Sequence, residues 1–277
     1  MQTWTVGSVT VTRVEEPGFE LLVPQDEATA TALRTNAQWL APEYVTDDWT
    51  LRVGSSALVL QSNGTTVVVD PWLAFDDPGR PATETAARTD VRFAALQAAG
   101  LSPDDVDIVV NTHIDGVGAN TRPAGGGDGE VAAFPNARYV FSTPEWAKVT
   151  KRACAEADAL SAHEGNTKLD IVDAPADIAP AIRVEPAPGH TGGHMAVWIE
   201  SNGAGAVIPG HLFLHPAQVY DPAPRAGLDE NVELAGATRT AILERCAAND
   251  WLLLGPLFAA PGGGVVEVRD AGHWALG

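Results

Sequence analysis

The most constraining stretch of this chain runs Val106-Asp107-Ile108-Val109-Val110-Asn111-Thr112-His113-Ile114-Asp115-Gly116-Val117-Gly118-Ala119-Asn120-Thr121. Its opening is β-branched and apolar, the composition of a strand covered on both faces. Polarity then switches: a histidine and a carboxylate follow, and Gly116 and Gly118 permit a sharp turn. A buried strand that delivers His and Asp at its carboxyl end is where α/β proteins build reaction centres. Whatever fold is chosen must bury this strand and open a cleft at its end.

The same pattern recurs downstream. Pro188-Gly189-His190-Thr191-Gly192-Gly193-His194 lies between strand-like runs, and the buried strand Ala206-Val207-Ile208 ends at Pro209-Gly210-His211, with His215-Pro216 and Gln218 after it. The apolar run from Trp251 to Leu254 ends at Gly255-Pro256-Leu257-Phe258. Before the central motif, residues 3–14 alternate apolar and polar, and Ser62-Asn63-Gly64 joins a hairpin whose second strand ends at Asp70-Pro71-Trp72. Asp70 reads as an Asx-type turn holding a strand end. Helices are expected over 24–40, over 90–100 with Gly100 as C-cap, from Thr143-Pro144 towards 160, and over 231–246. Residues 75–88 and 122–130 read as exposed loops. Apolar strands alternating with helices, without linker or repeat, predict an α/β protein: one domain over residues 1–277, built as a four-layer αββα sandwich.

Seventeen Lys and Arg against 36 Asp and Glu give a formal net charge of −19 over 277 residues. This excludes the basic surface that nucleic acid or an anionic membrane requires. No run approaches the roughly 18 apolar residues of a membrane span. The first residues lack the basic start and apolar core of a signal peptide, so a cytoplasmic location is expected. Cys154 and Cys246 lie far apart in helix-like segments and read as buried free thiols.

These motifs, in this order, resemble those of the metallo-β-lactamase superfamily. Thr112-His113, Asp115, Val117-Gly118 and Asn120-Thr121 resemble its first metal motif, T-H-x-H-x-D-H followed by V-G-x-N. Pro188-Gly189-His190-Thr191 with Gly193-His194 resembles the second, and Ile208-Pro209-Gly210-His211 the third. Phe134-Pro135-Asn136-Ala137, Thr238-Arg239 and Gly255-Pro256-Leu257-Phe258 match further segments. The resemblance implies the αββα sandwich, and it implies that five His and two Asp would hold two metal ions to activate water against an ester, lactone, thioester or amide. It also implies frequent dimers. Here the pattern departs: Gly116 stands at a ligand His, Leu257 at the last His, and His211 at the bridging Asp. The H-x-H pair is a single His113. Either Asn111 replaces its first member, or two residues are deleted and His113 is that first member.

Three functions stay open on these residues, and a small-molecule substrate is the expected partner. The preferred one is an enzyme with no cofactor, in which His113, Asp115, His190 and His211 perform acid–base chemistry on a carbonyl, lactone or polyketide-like substrate, as a cyclase, lyase or isomerase. The second is a mononuclear hydrolase of a lactone, ester or thioester, with one Zn²⁺ on His113, His190 and His211. The third is a non-catalytic descendant that binds a ligand or partner. His194 and His215 are expected to be hydrogen-bonded structural histidines.

Overall fold

The computed structural model describes residues 1–73, 82–114, 120–123, 130–152, 168–222, 228–270 and 272–277. Its strands are β1 (Gln2–Val6), β2 (Val9–Glu15), β3 (Leu21–Val23), β4 (Leu51–Val53), β5 (Ser56–Ser62), β6 (Thr65–Val69), β7 (Ile108–Val110), β8 (Thr121–Pro123), β9 (Glu130–Ala132), β10 (Arg138–Ser142), β11 (Lys168–Val172), β12 (Ala176–Ala179), β13 (Ile182–Pro186), β14 (Met195–Ser201), β15 (Ala204–Ile208), β16 (Leu252–Leu254), β17 (Gly263–Asp270) and β18 (His273–Leu276). The helices are α1 (Glu27–Arg34), α2 (Ala37–Leu40), α3 (Ala82–Ala98), α4 (Thr143–Arg152), α5 (Ala217–Tyr220) and α6 (Val232–Ala247).

Two seven-stranded sheets dominate, ordered β1-β2-β5-β6-β7-β10-β11 and β12-β13-β14-β15-β16-β17-β18. In the first sheet β6, β7, β10 and β11 run parallel; in the second only β15 and β16 do. Alternation within each strand explains why the sequence runs are apolar throughout. In β5, Leu58 and Leu60 point into a core shared with the second sheet, while Ala57 and Val59 point outward. In β15, Ala206 and Ile208 point into the shared core and Val207 points outward. Leu96 of α3 covers the outer face of the first sheet, with Phe93 and Trp146 packed beside it. Ala235, Ile242, Leu243 and Cys246 of α6 cover the outer face of the second, together with Leu33 and Leu40 from α1 and α2. The result is the expected four-layer αββα sandwich.

Some local expectations change. The stretch read as a loop over 75–88 is already helical from Ala82, eight residues before the expected start. Residues on both sides of the Gly-rich stretch pair as β8 and β9. The 24–40 segment forms two short helices rather than one. Cys246 is a buried free thiol, and Cys154 lies outside the described residues. Among the described residues, no helix is long and apolar enough to cross a membrane.

Candidate metal centre

The segments of the three predicted site histidines leave strand ends on the same edge of the sandwich. His113 follows β7, His211 follows β15, and His190 lies in the turn between β13 and β14. Close backbone packing brings them together. The Met195 N–H donates to the Thr112 carbonyl at 2.8 Å, tying β14 to the end of β7. Gly210 has φ +56°, and a Cβ there would lie 2.3 Å from Thr112 Oγ1, so only glycine lets the His211 turn approach that strand. Gly189 has φ +136°, and its Cβ would lie 2.3 Å from the Ala235 Cα, so the His190 turn rests directly on α6.

His113, His190 and His211 are all buried, and one ring nitrogen from each lies within 4.8 Å of the others. The ring centroids of His113 stand 4.9 Å from His190 and 4.4 Å from His211. Asp115, expected beside them, lies outside the described residues, as does Gly116. The Asn111 Oδ1 accepts from the Asn120 side-chain amide at 2.8 Å.

Each of two imidazoles is fixed from behind. Asp70 is fully buried and accepts from the Thr112 N–H at 2.8 Å and from its hydroxyl at 2.7 Å. A hydroxyl that gives its proton to Asp70 must accept from His113 Nδ1, 3.0 Å away, which leaves the lone pair on Nε2. Burial pushes the Asp70 carboxyl up to about 6, against the opposing Thr112 hydrogen bonds. His190 Nδ1 lies 3.2 Å from Asp229 Oδ1, and Asp229 Oδ2 accepts from Arg239 at 2.7 Å. Arg239, itself buried, also donates from Nε to the Leu212 carbonyl, next to His211. Burial raises the Asp229 carboxyl, but the His190 and Arg239 hydrogen bonds outweigh it and hold the group below the usual carboxylate range. Asp229 therefore orients His190 and leaves Nε2 as its free base. Sequence reasoning missed Asp229: it stands in a polar run before α6, with no motif around it.

Burial, helped by the charge of His190, pushes His211 down to about 3. His215 behaves as expected of a structural histidine: Nε2–H donates to the Tyr44 carbonyl at 2.7 Å and Nδ1 accepts from Ala217 N–H at 3.0 Å. His194 does not. It is buried, 5.0 Å from the His113 ring, and neither ring nitrogen has a hydrogen-bond partner among the described residues. Desolvation, then the charges of His190, His211 and Arg239, drive it far below the ordinary imidazole range.

His190 and His211 open onto a cavity of about 380 Å³. Leu21, Val23, Leu51, Val53, Leu73, Leu214, Leu228 and Leu257 line it, with Gln25, Thr29 and Gln218 as polar points. No Asp, Glu, Lys or Arg lines it among the described residues. Leu257, at the position where the resemblance places a last metal ligand, packs with Val53 and Leu73. The donor set suits one divalent transition metal: three imidazoles, two of them held in the tautomer that leaves Nε2 basic.

Solved structures with the same architecture are numerous. AidC, described as a dizinc quorum-quenching lactonase in complex with the product N-hexanoyl-L-homoserine, matches with a TM-score of 0.76 and 17% identity, covering 100% of this chain and 97% of that one. AbOPH, a hydrolase of the β-lactamase superfamily, matches with a TM-score of 0.70 and 18% identity over 99% of this chain and 96% of that one. A probable metal-dependent hydrolase from Staphylococcus aureus gives a TM-score of 0.70 and 18% identity over 99% of both chains. No family model and no curated protein sequence matches the chain. At these identities the likeness is one of architecture: the chain has the metallo-β-lactamase fold.

Proposed function

We propose that this metallo-β-lactamase-fold chain is a hydrolase that holds a single zinc-type ion on His113, His190 and His211 and cleaves a lactone, ester or thioester of an uncharged, largely apolar small molecule. The observation that carries the reading is the convergence of three buried imidazoles, with ligand atoms within 4.8 Å, two of which, His190 and His211, open onto an apolar cavity. The structural neighbours, a lactonase, a hydrolase and a probable metal-dependent hydrolase, support hydrolysis as the reaction class. When bound, such a metal supplies Lewis acidity and a hydrolytic nucleophile at neutral pH.

The protein's own groups do the rest. Thr112 and Asp70 hold His113; Asp229 and Arg239 hold His190. His211, at about 3, stays neutral at physiological pH, which suits a ligand and makes it a poor general base there. That argues against His211 as the base of the metal-free reading preferred from the residues. Val53, Leu73 and Leu257 form an apolar wall that desolvates the alkyl part of a substrate. The test is a panel of neutral aliphatic lactones, esters and thioesters of graded chain length. Turnover is expected to be chelator-sensitive, restored by zinc and lost in His190→Ala. Turnover that survives chelation yet disappears in His190→Ala would instead support acid–base catalysis.

A further inference from the structure

We infer that Glu145 is a positioning residue that sets the distance between the segments carrying His113 and His190, an inference that rests on the metal-site reading above. Glu145 lies in the first turn of α4, and its side chain is fully buried. Its Oε2 accepts from the Ile114 N–H at 3.0 Å, one residue past His113. Its Oε1 accepts from the Gly193 N–H at 3.0 Å, three residues past His190. A single carboxylate thus spans the two histidine-bearing segments, which come from different sheets.

A buried carboxylate is costly unless it is hydrogen-bonded and neutralised. Here two backbone donors and the Lys148 ammonium, 3.3 Å away, meet that requirement. Lys148 also pairs with Glu230 at 2.8 Å, and Glu230 accepts from the Gly192 N–H at 2.8 Å while donating its own N–H to the His190 carbonyl at 3.0 Å. Ser142 Oγ, at the end of β10, donates to the Gly193 carbonyl at 2.7 Å. The His190 turn is therefore gripped on one side by α4 and on the other by the segment before α6. The fit is tight: a Cβ on Gly193 would lie 2.8 Å from Glu145 Oε1 and 2.8 Å from the Pro144 Cβ. Asp229 and Thr112 orient the imidazoles; Glu145 fixes how far apart their backbones sit.

The test compares wild type with Glu145→Gln, which keeps the shape but turns one acceptor into a donor facing an N–H. Zinc affinity is read by competition with a chromogenic chelator, and amide hydrogen exchange at Ile114 and Gly193 is read on zinc-free protein with Leu253 as a global control. The variant should weaken zinc binding by about ten- to a hundredfold, the range for lost outer partners of metal ligands. Exchange at Ile114 and Gly193 should accelerate at least about tenfold relative to Leu253. Unchanged affinity with unchanged exchange overturns the inference, and so does accelerated exchange with unchanged affinity, which marks a purely structural contact. If Glu145→Gln fails to fold, Gly193→Ala presses on the same contact from the other side and should show the same two effects; neither effect overturns the inference. If wild type itself binds no zinc, the metal-site reading fails, and the exchange readout alone decides whether Glu145 joins the two segments.

Discussion

A histidine at this centre is defined as much by the group behind it as by its own position. His190 carries the clearest example, because Asp229 accepts at Nδ1 and is itself held by Arg239. Asp229→Asn keeps the volume and loses the charge. It should weaken zinc binding by about ten- to a hundredfold, measured by competition titration, while leaving the fold intact in circular dichroism. The three histidines themselves were legible in the sequence, because His113 and His211 follow apolar runs and His190 and His211 each sit beside a glycine. Asp229 and Glu145 were not. Asp229 reaches His190 across 39 residues of chain, and Glu145 reaches Ile114 and Gly193 across 31 and 48, partners that only the folded sheets bring near. The expectation that His194 would be hydrogen-bonded failed for a related reason. A sequence shows which residue types can bond, and it does not show whether the fold brings a partner within reach of this imidazole.

Strands and turns place those side chains, and here the sequence was read well where burial dictates pattern. The runs read at 56–61, 106–110 and 206–208 hold strands β5, β7 and β15 because both of their faces meet a core. Helix α3 was read too short, since its first turns carry no apolar stripe. What anchors it is charge: Arg88 and Arg92 reach the buried Glu16, and both donate to the Leu73 carbonyl, at 3.0 and 2.7 Å. Pairing Glu16 with residues more than seventy positions away is a tertiary fact. The turns deserve a direct test. Gly189→Ala would drive a Cβ into the Ala235 backbone from a conformation that disfavours L side chains, and so lift the His190 turn off α6. The expected cost is about 1–3 kcal/mol in a urea titration, with weaker zinc binding at the same time.

Across the whole molecule, stability should depend on pH through buried histidines. Burial pushes His215 down to about 4, although its Tyr44 hydrogen bond resists. Between about 6.5 and 4 the unfolded chain binds the proton that folded His215 refuses, so stability falls as pH drops through that window. The contribution is about 3 kcal/mol once pH is below both values. Asp70 works in the opposite sense: folded Asp70 holds its proton up to about 6, so its share of stability falls as pH rises towards that value. The difference between wild type and His215→Gln isolates the histidine. Unfolding midpoints at pH 7.5 and pH 5 should converge in the variant, and an undiminished slope would assign the acid sensitivity to other groups.

The molecule that emerges is an αββα sandwich in which three buried histidines converge beside an apolar cavity, and the proposed centre on them holds one metal ion. Metal stoichiometry tests that most directly. Protein prepared without chelator, loaded with zinc and then dialysed free of excess, should retain about one equivalent per chain, and His190→Ala should retain almost none. Retention below about a tenth of an equivalent, or retention of about two, would contradict a mononuclear centre on His113, His190 and His211.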